Sequence, residues 1–101
     1  MGNFIEVWNF GEVNFEDGSA YLAHIGPDFA KAMLKRNFAR NRKINKYRVS
    51  EMARDMESGR WSGLTSDPIK MSRSGAMLNG QHRLAAVLKS GTTIEQIIIT
   101  G

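Results

Sequence analysis

The apolar positions divide the chain into an aromatic and β-branched beginning, a middle of helical period and an isoleucine-rich end. Residues 4–10 (Phe4, Ile5, Glu6, Val7, Trp8, Asn9, Phe10) alternate imperfectly. They are rich in types that suit a pleated, half-buried surface, which predicts a strand. Gly11 and the Asp17-Gly18 pair are turn signals around residues 13–15, and together with residues 19–25 they predict a small antiparallel meander. Gly26-Pro27-Asp28 then opens a helix, with Pro tolerated in the first turn and Asp28 where negative charge suits the helix dipole. Phe29, Met33, Leu34 and Phe38 lie on one side, so the spacing predicts a helix to about residue 38. Residues 39–43 break the pattern and are very basic.

A second helix follows from Asn45 as N-cap. Val49, Met52, Ala53 and Met56 fall at i, i+3, i+4 and i+7, and Gly59 is the expected stop before Arg60-Trp61. Residues 68–71 alternate as a strand, residues 72–75 turn the chain, and residues 76–78 return as a hairpin partner. Gly80 sits between that strand and a third helix, from Gln81 to about Ser90, whose apolar face is Leu84, Val87 and Leu88 and whose stop is Gly91. Ile94 and the run Ile97-Ile98-Ile99 form a last strand, expected to be buried on both faces. The fold class is therefore α+β (mixed α/β). A small mixed sheet with about three helices is preceded by an N-terminal β-meander, in one domain over residues 1–101 with a strand-rich segment 1–26 and a core 27–101.

Length and composition narrow the function classes. A chain of 101 residues buries one modest core. It has no cysteine, which removes disulfides, a thiolate metal site and a thiol nucleophile. His24 and His82 are too few for a zinc site, so no metal ligand set is predicted. No apolar run approaches the roughly 18 residues that span a bilayer and no basic-then-apolar leader opens the chain, so the expectation is a cytoplasmic protein without a membrane partner.

The net charge of +4 is unevenly spread. Residues 1–30 hold five acids (Glu6, Glu12, Glu16, Asp17, Asp28) and no Lys or Arg, whereas residues 31–60 hold ten bases against three acids. A basic middle suggests a polyanionic partner, nucleic acid or nucleotide. It is equally compatible with a solvated helix face that offsets the acidic beginning.

The chemistry concentrates at Asn79-Gly80-Gln81-His82-Arg83. A strand, a glycine turn and a helix start make an anion site, because the first amides of the helix lack partners within it and the helix dipole favours negative charge. Glycine at 80 permits positive φ or close approach of a ligand. Arg83 can clamp a phosphate with two parallel hydrogen bonds, and His82 can donate a hydrogen bond or carry a proton. The bland alternative is a simple turn followed by a surface arginine.

Asn41-Arg42, then residues 49–56, Gly59-Arg60-Trp61, Pro68-Ile69, and finally Leu78-Asn79-Gly80-Gln81-His82-Arg83-Leu84-Ala85-Ala86 occur in that order. In these residues the chain resembles the ParB/sulfiredoxin-like superfamily, in the phage and prophage branch with an Asp-Gly-Gln-His-Arg signature. The resemblance covers roughly residues 27–101. It implies a small mixed sheet flanked by helices and a nucleoside triphosphate with Mg2+, held by the glycine turn and the basic residues after it. Partition members of the superfamily bind and hydrolyse CTP, sulfiredoxins and related kinases transfer phosphate from ATP, and some members are described as nucleases. Carried over position by position, Gly80, His82 and Arg83 become phosphate contacts, and Gln81 falls where partition proteins carry Glu. Asn79 stands in place of the branch's usual aspartate. It accepts a hydrogen bond but lacks the negative charge that a metal ligand or general base needs. Gln81 is also uncharged, and the absence of cysteine removes the sulfiredoxin reaction. These departures support binding more than turnover and leave enzymatic activity open.

Arg40, Arg42 and Lys43, between two helices, suit outer phosphate or nucleic-acid contacts, although basic loops also occur without a ligand. Arg60 can pair a phosphate while Trp61 stacks a base, but a Trp just beyond a helix end is more often a core plug. Met52 and Met56 read as core, and His24 as structural. Trp8 and Phe10 read either as core or as an exposed patch for a partner.

The expected function is a nucleotide- or nucleic-acid-phosphate-binding domain, with residual phosphoryl transfer or hydrolysis as the class of any reaction. One alternative is a phage-type anti-defence protein, anti-CRISPR-like, that inhibits a host nuclease by covering its nucleic-acid-binding surface. Its partner would then be a host defence protein. The other alternative is a DNA-binding module indifferent to sequence.

Overall fold

In the computed structural model, residues 4–36, 43–63 and 67–101 are described. Alternation makes residues 20–25 a strand: Tyr21, Ala23 and Ile25 are buried, while Ala20, Leu22 and His24 turn to the other face and are half-buried. The strands are β1 (Ile5–Val7), β2 (Ala20–Ile25), β3 (Ile69–Met71) and β4 (Ile94–Thr100), and the helices are α1 (Pro27–Leu34), α2 (Lys46–Glu57) and α3 (Gln81–Ser90). The four strands form one mixed sheet in the order β1-β2-β4-β3. β1 runs parallel to β2, β2 antiparallel to β4, and β3 parallel to β4. The protein is thus a small α+β fold. Among the described residues no helix is long and apolar enough to cross a membrane.

The three helices cover one face of the sheet, with α3 packed against both α1 and α2. Phe29, Ala30 and Met33 of α1, Val49, Ala53 and Met56 of α2, and Leu84, Ala86 and Val87 of α3 meet Val7, Tyr21, Ile25, Ile69, Met71 and Ile98 of the sheet in one core. The helix ends follow the expected chemistry. The Asn45 side chain accepts from the amides of Tyr47 and Arg48, and Gly59 and Gly91 adopt positive φ just past the ends of α2 and α3. Half-buried Trp61 packs against this core, as does Met52.

Three expectations change, and a fourth holds in shortened form. The N-terminal strands pair in parallel instead of as an antiparallel meander, and residues 13–15 belong to no strand. The chain between β1 and β2 is long enough for a parallel crossover. It is shaped by a 3₁₀ turn, Phe10–Glu12, where the Glu12 carboxylate accepts from the backbone amides of Trp8 and Asn9 at 3.1 and 2.9 Å. α1 ends at Leu34, not near residue 38, with Lys35 as its C-cap; Phe38 lies outside the described residues. The hairpin partner of β3 is present but short: residues 76–78 return antiparallel as a single bridge, Met71 to Met77. It is flanked by the Leu78 amide donating to the Lys70 carbonyl and the Ser72 amide to the Ala76 carbonyl, each at 2.9 Å, while the outward Met77 amide donates to the Arg36 carbonyl. Finally, β4 is buried on one face only: Ile94, Gln96, Ile98 and Thr100 point inward, and Ile99 is 40% exposed. With all three helices on the inner face, the isoleucine run cannot be covered on both sides. An unexpected Gln96 occupies an inward position, with its Nε2 donating to the carbonyls of Asp67 and Ile97.

Candidate anion-binding corner

The turn between β3 and α3 is set by Gly80, which caps α3 with φ 93°. A Cβ there would also lie 2.8 Å from Cγ1 of Ile69, so both the backbone conformation and the neighbour demand glycine. Because the N-cap has no side chain, no side-chain cap covers the opening amides of α3 from that position.

Asn79 ties this turn to the strand. Its Oδ1 accepts from the Lys70 amide at 2.6 Å and its Nδ2 donates to the Pro68 carbonyl at 3.2 Å. The side chain uses both ends of its amide, so the neutral residue has a structural reason: a carboxylate would keep the first bond and set an oxygen against the Pro68 carbonyl. Gln81 is buried, and its neighbour His82 is half-buried. His82 Nε2 accepts from the Asn45 amide at 2.9 Å, which joins the first turn of α3 to the N-cap of α2. Near the other ends of the same helices, Ser90 Oγ lies 4.0 Å from Met56 Sδ. The two helices therefore run the same way, and their positive N-terminal ends sit side by side.

Arg83 completes the corner. Its half-buried guanidinium donates through Nη1 to the Asp67 carbonyl, the same oxygen that receives Gln96. Burial lowers the Arg83 pKa from its usual value, against the attraction of the Asp67 charge, which raises it. The guanidinium stays charged all the same. Among the described residues no carboxylate forms an ion pair with it.

Of the outer bases, Lys43 is exposed two residues before the Asn45 cap. Arg40 and Arg42 lie outside the described residues. Arg60 stands beyond the opposite end of α2, where its Nε donates to Ser58 Oγ at 3.1 Å. The length of α2, roughly 18 Å at 1.5 Å per residue, separates it from the turn. The structure adds residues that the sequence reading passed over. Lys46, Tyr47 and Arg48 are exposed in the first turn of α2, Tyr47 by 72%, and Lys70 is exposed beside Asn79. Their signal was present as a basic-aromatic-basic triplet straight after an N-cap. Cavities of about 510, 250 and 400 Å3 open elsewhere, and residues 79–83 line none of these three.

Comparison places the chain in no family. No protein-family model, curated protein or solved structure matches it. The chemistry therefore rests on geometry: two neighbouring helix N-termini, one half-buried guanidinium with the Asp67 charge near it, exposed bases in the first turn of α2, and no acidic side chain within residues 79–83. Chemically, two helix N-termini and a guanidinium are groups that can stabilise an anion. Among the described residues, no group of three or more His, Asp or Glu is placed to hold a metal.

Proposed function

We propose that the chain is a ParB/sulfiredoxin-like domain that binds the phosphate of a nucleotide or nucleic acid where α2 and α3 begin. The observation that carries this reading is Arg83: a half-buried guanidinium held by a backbone carbonyl, with Asp67 near but no carboxylate in ion-pair contact among the described residues. Burial lowers the Arg83 pKa and the nearby Asp67 charge offsets only part of that effect, so a bound phosphate would add counter-charge with matching fork geometry. Gly80 supplies the positive φ that carries the chain from β3 into the first turn of α3. Lys43 and Lys46 add outer charge, and Tyr47 offers a ring for a base to stack on. His82 and Asn79 act as positioning residues, since the described bonds of their side chains hold α2 and β3 in register with the turn.

Binding is the proposal, and turnover is not part of it. Asn79 commits its oxygen to the Lys70 amide, and residues 79–83 offer no charged oxygen to a divalent ion. The residues thus fit a phosphate group but supply no carboxylate for Mg2+.

Calorimetric titration with ATP, CTP, GTP and UTP, each with and without Mg2+, and with a single-stranded oligonucleotide tests the reading. The expected result is saturable binding that Arg83→Ala weakens at least ~10-fold without loss of fold, with affinity for the oligonucleotide falling steeply as salt rises. A folded sample that gives no heat with any of them removes the proposal.

A second reading is favoured by the acidic first 30 residues, which carry five acids and no base. On that reading the protein binds a basic surface of a host defence nuclease. Stoichiometric capture of such a nuclease, abolished by charge reversal at Glu6 and Asp28 and untouched by Arg83→Ala, would replace the phosphate reading.

A further inference from the structure

We propose that the cavity between the β1–β2 crossover and the start of α1 is a binding site for an organic cation, an alkylammonium or a guanidinium. Its volume is about 510 Å3, and its walls include Trp8, Phe10, His24, Asp28, Phe29 and Thr93. That volume falls in the range of small-molecule sites.

Three observations converge on the ligand's chemistry. The first is the aromatic wall. Trp8 lies flat on His24, ring centroids 3.5 Å apart and planes 6° from parallel, yet 61% of the residue stays exposed. Phe10 and Phe29 meet edge to face at 5.8 Å. An indole this exposed is poorly explained by packing, whereas aromatic faces around a cavity attract cations through the ring quadrupole. The same cluster already accepts a guanidinium within the chain, since Arg36 sits 5.9 Å over the Phe10 ring and 5.2 Å over the Phe15 ring, outside the lining of the cavity.

The second is the Asp28 carboxylate, which is exposed on the cavity wall and, among the described residues, has no ion pair or side-chain hydrogen bond. Lys31 and Lys35, the nearest bases in sequence, make no ion pair with it. The start of α1 contributes a partial positive charge of about one half, which the full negative charge of Asp28 outweighs.

The third is the surrounding field. Among the described residues the cavity lining contains no Lys or Arg, and its His24 is already paired with the Glu6 carboxylate at 2.6 Å, which leaves the Asp28 charge unopposed by a basic side chain of the wall. Aromatic faces with a carboxylate at the rim select a cation that is weakly hydrated and carries apolar surface, in preference to Na+.

The test titrates uniformly 15N-labelled protein with tetramethylammonium chloride, arginine amide and an arginine-containing tripeptide, each against sodium chloride at matched ionic strength. Shifts of the Trp8 indole N–H, identified by its loss in Trp8→Leu, and of the Gly26 and Thr93 amides should saturate for the organic cations and not for Na+. Asp28→Asn and Trp8→Leu, both checked for fold by circular dichroism, should each weaken binding at least ~10-fold. Tighter binding of the tripeptide than of either small cation assigns the cation to a protein side chain, and equal affinity assigns it to a free amine. Both outcomes uphold the site. Shifts that follow sodium chloride equally, or wild-type affinity in folded Asp28→Asn, overturn it.

Discussion

The corner where α2 and α3 begin and the cavity beside Trp8 lie toward opposite ends of α3, and they treat charge in opposite ways. At the corner a base is half-buried and held by a carbonyl, and the polar side chains of the turn are engaged with backbone: Asn79 with Pro68 and Lys70, His82 with Asn45, Arg83 with Asp67. At the cavity the acid is exposed and lacks a partner among the described residues, and the wall is aromatic. A net charge of +4 describes neither end. The contrast teaches that a motif rich in chemistry-bearing residue types can be structurally committed while a plainer stretch leaves a charge available. At the corner the proposed ligand contacts are the first turn of α3 and one guanidinium. At the cavity they are side chains.

The largest expected effect breaks the corner itself. Gly80→Ala imposes positive φ on a residue with a Cβ and drives that atom into Ile69. A loss of about 3 kcal/mol, or roughly 12–24 °C in melting temperature, is expected by calorimetry. Asn79→Asp should cost about 2 kcal/mol, because it discards the donor to Pro68 and sets two acceptors against each other. If Asn79→Asp is as stable as the wild type, Asn79 is no structural pin, and the contrast between the two ends loses one of its supports.

A third substitution sharpens the comparison. Arg83→Ala should reduce phosphate affinity at least ~10-fold, about 1.4 kcal/mol, while leaving the response of Trp8 to organic cations as in the wild type. Equal loss at both ends would mean that Arg83 supports the fold as a whole.

The smallest effect belongs to the cavity end. The Trp8 and Asn9 amides hold the Glu12 carboxylate below its ordinary value of about 4.5. Its ionised form therefore stabilises the fold fully above that pH, and the contribution fades as pH falls through the depressed value. Glu12→Gln should flatten the acid limb of melting temperature against pH below about 4.5, by a small amount because the carboxylate is exposed. An unchanged acid limb would show that the 3₁₀ turn does not depend on that charge.

The helices were legible where local rules act alone. Asn45 caps α2 as its sequence position predicts, and Gly80 and Gly91 bracket α3 because positive φ is a property of the residue itself. The reading failed where partners decide. Residues 13–15 have strand composition, but Phe15 packs with Phe10 and under Arg36, contacts that no local pattern announces. The isoleucine run predicted a doubly covered strand, although only the placement of every helix on one face determines how many sides are wet. The turn 79–83 was legible as a candidate site. Which of its side chains would be engaged by backbone, and that the N-cap of α2 would stand beside it, depended on α2 and α3 running in the same direction.

Sequence by itself determined the α+β class, the caps and stops of α2 and α3, and the separation of an acidic beginning from a basic middle. Each is a property of residues within a few positions of one another. Tertiary structure alone decided the parallel pairing of β1 with β2, the meeting of two helix N-termini, the desolvation of Arg83 and the aromatic cavity that holds Asp28 at its wall. Those depend on contacts between residues far apart along the chain, and burial, which sets the strength of every charge here, exists only once such contacts form.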